Sequence, residues 1–73
     1  MVNTIAIKVL LLKQGKKMAD LAPVIGKSYA SVQSKLNNKT PMTLEEALKI
    51  QHYLGISDDD FTYYFMLYGA GGD

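Results

Sequence analysis

Seventy-three residues suffice for one small core and leave no room for a second. With 48% hydrophobic and 21% charged residues the chain has the composition of a folded domain, and the lack of cysteine excludes a disulfide framework and any thiolate-held metal. The net charge of +1 hides a division: residues 1–41 carry seven lysines against Asp20 alone (+6), and residues 42–73 carry one lysine against six acids (−5). Such polarity suits a polyanion at one face, with chance scatter of charge on a small helical surface as the competing explanation. All eight basic residues are lysines, so the bidentate fork with which arginine reads guanine is missing.

In chain order, Asn3 or Thr4 caps a first helix from about Thr4 to Gln14, which Gly15 ends. Its apolar run "IAIKVLLL", residues 5–12, contains Lys8 and is too short to span a membrane. No basic region precedes it and no small-residue cleavage site follows, so a cytoplasmic protein with no membrane partner is expected. Ile7, Leu10, Leu11 and Gln14 share one side of this helix, while Ile5, Val9 and Leu12 cluster on the other. A helix apolar on both sides needs cover on both sides, more than so small a domain supplies.

A second helix covers roughly Met18 to Ile25 and stops at Gly26, with Pro23 inside it expected to remove one amide donor and bend it. Ser28 caps a third helix that runs to about Leu36 and ends in Asn37-Asn38, either of which tolerates a left-handed backbone. Val32 and Leu36 define its core side; Ala30, Gln33, Ser34 and Asn37 fall opposite, and Tyr29 projects from the first turn. Thr43 with Glu46 makes a capping box for a fourth helix, Leu44 to Leu54, closed by Gly55. Ser57 with Asp60 repeats the device for a fifth helix ending at Tyr68, leaving residues 69–73 as a flexible tail to a single domain over 1–68. In that helix Phe61, Tyr64, Phe65 and Tyr68 face inward; Tyr63, Met66 and Leu67 point away. Nothing reads as a strand, and the expected class is all-α, a five-helix bundle.

Five short helices in this order, with a tight Gly26 turn between the second and third, resemble the lambda-repressor-like helix-turn-helix family: the Cro and repressor proteins of phages and the Xre-type regulators of bacteria. The resemblance spans about residues 4 to 65 and rests on "DLAPVIGKSYASVQSKLNNKT" and "TLEEALKIQHYLGIS". It implies a sequence-specific transcription regulator whose third helix enters the major groove of double-stranded DNA. By that resemblance Tyr29, Ala30, Gln33 and Ser34 occupy positions that touch base edges. Lys17, Lys27, Ser28, Lys35, Asn37 and Lys39 become the phosphate-side candidates. Gln33 suits adenine, Ser34 several bases, and Ala30 a thymine methyl. The competing reading is a polar face on a purely structural helix. Two departures stand out: the family often has glutamine where this chain has Met18 and Tyr29, and Pro23 sits well inside the second helix.

The second apolar faces, Ile5, Val9 and Leu12 with Tyr63, Met66 and Leu67, suggest a protein interface, most simply a homodimer, although scattered surface hydrophobics are also ordinary. They equally fit a phage antirepressor of the same fold that binds a repressor protein instead of acting mainly on DNA. An enzyme is not expected. His52 is the only histidine, no carboxylate or nucleophile is spaced around it, and no metal or cofactor is implied. The run Asp58-Asp59-Asp60 lacks the alternation and distal glutamate of a calcium loop and reads as acids at a helix start.

Overall fold

The computed structural model describes residues 1–66. Within them the chain forms five α-helices and two 3-10 turns, an all-α bundle: α1 (Thr4–Lys13), the turn Met18–Asp20, α2 (Leu21–Ile25), α3 (Tyr29–Leu36), α4 (Leu44–Leu54), the turn Asp58–Asp60, and α5 (Phe61–Phe65). The caps carry these boundaries. Asn3 accepts from the Ala6 N–H, Ser28 from Ser31, and Thr43 from Glu46, whose carboxylate returns the bond to the Thr43 N–H. Gly55 and Asn38 adopt the left-handed backbone that ends α4 and follows α3 (φ 69° and 62°). Gly permits this freely, whereas asparagine is among the few side chains that tolerate it.

The second expected helix is broken. Continued from Met18, it would drive the Pro23 ring against the Ala19 carbonyl. The chain instead makes a 3-10 turn at Met18–Asp20, with the Leu21 N–H donating to Met18 O, and begins α2 at Leu21. Pro23 then sits third in the helix, where its missing N–H has no acceptor to lose. The fifth helix also stops short of expectation, at Phe65, with Met66 left-handed at φ 52°. Continuation would need the Tyr63 and Tyr64 carbonyls. Both already accept from Asn3, through its Nδ2 at 3.3 Å and its backbone N–H at 2.7 Å. Leu67, Tyr68 and the expected tail at 69–73 lie outside the described residues.

The core is one cluster: Ile7 and Leu11 of α1, Leu21 and Ile25 of α2, Val32 and Leu36 of α3, Ala47, Ile50 and Leu54 of α4, and Phe65 of α5, closed by Val2, Met42 and Ile56. α2 lies between α3 and α4, and the Met18–Asp20 turn also packs on α3. Two polar fasteners complete the frame. Residues 2–4 strap the C-terminal end of α3: the Val2 N–H donates to Asn38 Oδ1 (2.7 Å), Asn38 Nδ2 donates to Val2 O (3.0 Å), and the Thr4 hydroxyl donates to Leu36 O. At the start of α4, the Lys35 ammonium bonds Glu46 at 2.9 Å and the Pro41 carbonyl at 3.3 Å.

Candidate nucleic-acid interface

The outer side of α3 is a consequence of its inner side. Val32 and Leu36 are fully buried, so the residues turned away from that stripe are left to face out. Ala30, Gln33 and Asn37 are exposed, Ser34 is half-covered, and Tyr29 is 48% exposed at the first turn. Eight residues make a helix of about 12 Å, comparable with the width of a DNA major groove. The connection from α2 is short: left-handed Gly26 (φ 69°), then Lys27 and the cap Ser28. The Lys27 N–H donates to Ala22 O, which fastens that turn to α2.

Three exposed lysines bracket this helix. Lys27 precedes it, Lys39 follows it, and Lys17 opens the 3-10 turn that packs on it; none makes an ion pair among the described residues. Ser28 spends its hydroxyl as an acceptor on the cap, leaving its O–H free to donate outward, and Asn37 stands at the helix end with its side chain exposed.

Lys35 does not belong to this set. Its side chain is only 13% exposed and is tied to Glu46 and to Pro41 O, so it fastens α3 to α4 and is not available to a phosphate. Helical spacing places Lys35 and Gln33 at similar angles on either side of the Val32–Leu36 stripe, and Lys35 is the one on the side where Glu46 of α4 lies. Burial by itself would raise the Glu46 carboxyl's pKa. The Thr43 N–H and the Lys35 ammonium outweigh that effect and hold it below the ordinary glutamate range.

Lys16 is similarly engaged, donating to Gln14 Oε1 and to Tyr53 O while lying 4.2 Å from the Tyr53 ring centre. Lys8 and Lys13 sit on α1. The basic half of the sequence therefore does not form one continuous face, and its contribution around α3 reduces to Lys17, Lys27 and Lys39.

A second surface gathers the outward apolar residues. Ile5, Val9 and Leu12 of α1 are exposed, at 76%, 44% and 79%, as are Tyr63 of α5 and Met66 beyond it. The two sets meet in part, through Ile5, Val9 and Tyr63. Ile5, Val9, Lys13, Tyr63 and Tyr64 line one groove between α1 and α5, of about 240 Å³. Of the expected interface residues only Leu67 lies outside the described residues.

A third feature was not anticipated. Leu48 and Tyr53 of α4, with Val24 of α2, line an open groove of about 550 Å³ edged by Glu45, Lys49 and His52. Leu44, Leu48 and His52 recur at i, i+4 and i+8, so the exposed stripe was present in the spacing. His52 is exposed, and the aspartate run is a capped helix start: Ser57 accepts from the Asp60 N–H, and Asp58 accepts from Gln51 Nε2 at 2.8 Å. No helix of the described residues is long and apolar enough to cross a membrane. No protein-family model, curated protein or solved structure matches this chain.

Proposed function

We propose that the protein is a small DNA-binding transcription regulator of the Cro/Xre type, with α3 inserted in the major groove. One observation carries the reading: a capped helix, anchored inward by Val32 and Leu36, presents Tyr29, Ala30 and Gln33 outward between three lysines that form no ion pair among the described residues. Lys17, Lys27 and Lys39 hold phosphates and set the register, assisted by the first amides of α3. Gln33 supplies the donor and acceptor pair that matches adenine, and Ala30 offers a methyl contact to thymine.

The strap from Val2 to Asn38 and the Lys35–Glu46 bridge fix the C-terminal end of α3, and the Lys27 N–H bond to Ala22 O ties the turn before it, so the helix meets DNA as a rigid body. The test is selection of DNA sites from a random pool. The wild type yields a defined motif, and Gln33→Ala loses preference at one position, by roughly 1–3 kcal/mol if the contact is bidentate. An identical motif for wild type and Gln33→Ala removes the glutamine from base reading.

A second reading, a phage antirepressor that captures a repressor protein, is favoured by the apolar groove between α1 and α5 and by the loss of Lys35 from the basic set. It predicts a stable complex with a repressor and little salt-dependent affinity for DNA.

A further inference from the structure

We propose that the groove between α2 and α4 docks an acidic amphipathic helix of another protein. The docking requires neither DNA nor the surface of α1 and α5.

The first support is the form of the groove. Val24 of α2 with Leu48 and Tyr53 of α4 lines about 550 Å³ of open space beside Glu45, Lys49 and His52. Leu48 is 47% exposed and Tyr53 36%, and Leu44, one turn before Leu48, is 42% exposed. α4 packs inward through Ala47, Ile50 and Leu54, so none of these three large side chains is needed by the core. A trough between two helices, with apolar side chains a turn apart, is the form that an amphipathic helix enters with its own side chains at one-turn spacing.

The second support is charge. Around α4, Lys49 and His52 stand between Leu48 and Tyr53. The Lys16 ammonium lies 4.2 Å from the Tyr53 ring centre, and its hydrogen bonds go to neutral oxygens of Gln14 and Tyr53, which leave its charge uncompensated. Lys27 lines an adjoining hollow that shares Glu45 and Lys49 with the groove. Against these lysines stands Glu45, bonded to Lys49 at 3.3 Å, while Glu46 is already matched by Lys35. An exposed pair such as Glu45–Lys49 contributes little, so Lys49 is free to turn to another carboxylate. The excess of positive charge favours an acidic partner and repels a basic one.

Area decides against a second copy of this chain as the occupant. From their fractional exposures, Leu44, Leu48 and Tyr53 present on the order of 300 Å². Two such faces bury about 600 Å², short of the roughly 1,000 Å² of a specific interface, and suit only a transient contact.

The experiment is a nuclear magnetic resonance titration of the isotope-labelled full chain with two synthetic helix-forming peptides. Both carry leucines at one-turn spacing; one is flanked by glutamates and the other by lysines. With the glutamate peptide, amide shifts should cluster at Val24, Leu48, Lys49, His52 and Tyr53, and its affinity should exceed that of the lysine peptide by about tenfold or more. Leu48→Asp should abolish those shifts, and Lys16→Glu/Lys49→Glu should invert the preference. Leu48 and Lys49 lie outside the core, but Lys16→Glu also loses the bond to Tyr53 O. If that chain is unfolded, Lys49→Glu alone takes its place and should reduce the preference. No shifts at millimolar peptide, or equal affinity for the two peptides, overturns the proposal. So do shifts centred on Gln33 and Lys39 of α3 or on the α1–α5 groove, binding that survives Leu48→Asp, or groove shifts that grow with protein concentration alone, which assign the site to a second copy.

Discussion

Lys35→Met tests whether the Lys35–Glu46 bridge holds α3 to α4. The substitution keeps an unbranched chain in the same channel and removes the ammonium. Glu46 is then left 6% exposed with a carboxylate that still accepts from the Thr43 N–H. Removing one partner of a buried pair costs about 3–5 kcal/mol. The Thr43 N–H still serves the carboxylate, which lowers the expected loss to about 2–3 kcal/mol, the range for hydrogen bonds to charged groups. In a domain of this size that corresponds to a fall in Tm of roughly 8–24 °C.

Glu46→Gln alone should cost less, because the amide oxygen still accepts from the Thr43 N–H. The double variant should recover part of the loss, giving a coupling of about 1–2 kcal/mol in a double-mutant cycle. The pH dependence has a definite sign. The folded-state pKa of Glu46 is depressed, so its contribution is complete above the unfolded glutamate value and disappears as pH falls through the lower folded value. The gap between wild type and Lys35→Met should therefore be full at neutral pH and close on acidification below the ordinary glutamate range. Chemical and thermal melts at neutral and acid pH measure all of this. A fall of less than about 2 °C at neutral pH, with no measurable coupling, would show that water already solvates the pair and that the bridge does not fasten α3.

Three smaller predictions follow from the backbone and the strap. Asn38→Gly keeps the left-handed residue but loses both bonds to Val2 and should cost about 1 kcal/mol in urea melts; Asn38→Ala adds left-handed strain and should cost about 1 kcal/mol more. Equal losses for the two would mean that the backbone at this position relaxes. Pro23→Ala should move stability by less than about 1 kcal/mol, because the proline stands in the first turn of α2; a gain of several kcal/mol would instead indicate a strained helix interior. Asn3→Ala should weaken the dock between α1 and α5 by about 1–2 kcal/mol through loss of the cap and of the bond to Tyr63 O, with hydrogen exchange rising first in α5.

Local signals carried most of the architecture. The Thr43–Glu46 box and Gly55 set both ends of α4, Ser28 and Asn38 bounded α3, and the burial of Ile7, Leu11, Val32 and Leu36 followed helical spacing. The expectations that changed were those decided by contacts between distant residues. Asn3, sixty residues away in sequence, takes the carbonyls that α5 would need to continue, and nothing near Phe65 announces that. Lys35 looked like its lysine neighbours until Glu46, eleven residues on, was placed beside it. Helical spacing gave no warning, because Gln33 lies at the same angle from the Val32–Leu36 stripe on its other side and is exposed. The break before Pro23 was readable in kind, since proline forbids the continuous helix, but whether the chain bends or restarts depends on the packing of the Met18–Asp20 turn against α3. For the candidate site, the exposed stripe on α3 was legible from periodicity, and the joining of two apolar stripes into one groove was not, because it depends on how α1 and α5 dock.

The most direct measurement of the DNA-binding proposal is the salt dependence of affinity for duplex DNA, for the wild type and for Lys17→Ala/Lys27→Ala/Lys39→Ala, with Lys35→Ala alongside. The wild type should bind with a log–log slope that flattens by about 0.9 for each phosphate contact removed, hence by nearly 3 in the triple variant. Lys35→Ala should lose stability yet keep the wild-type slope wherever it remains folded, because its ammonium is committed to Glu46. Absence of salt-dependent binding by the wild type, or an unchanged slope in a folded triple variant, would contradict a DNA role for this face of α3.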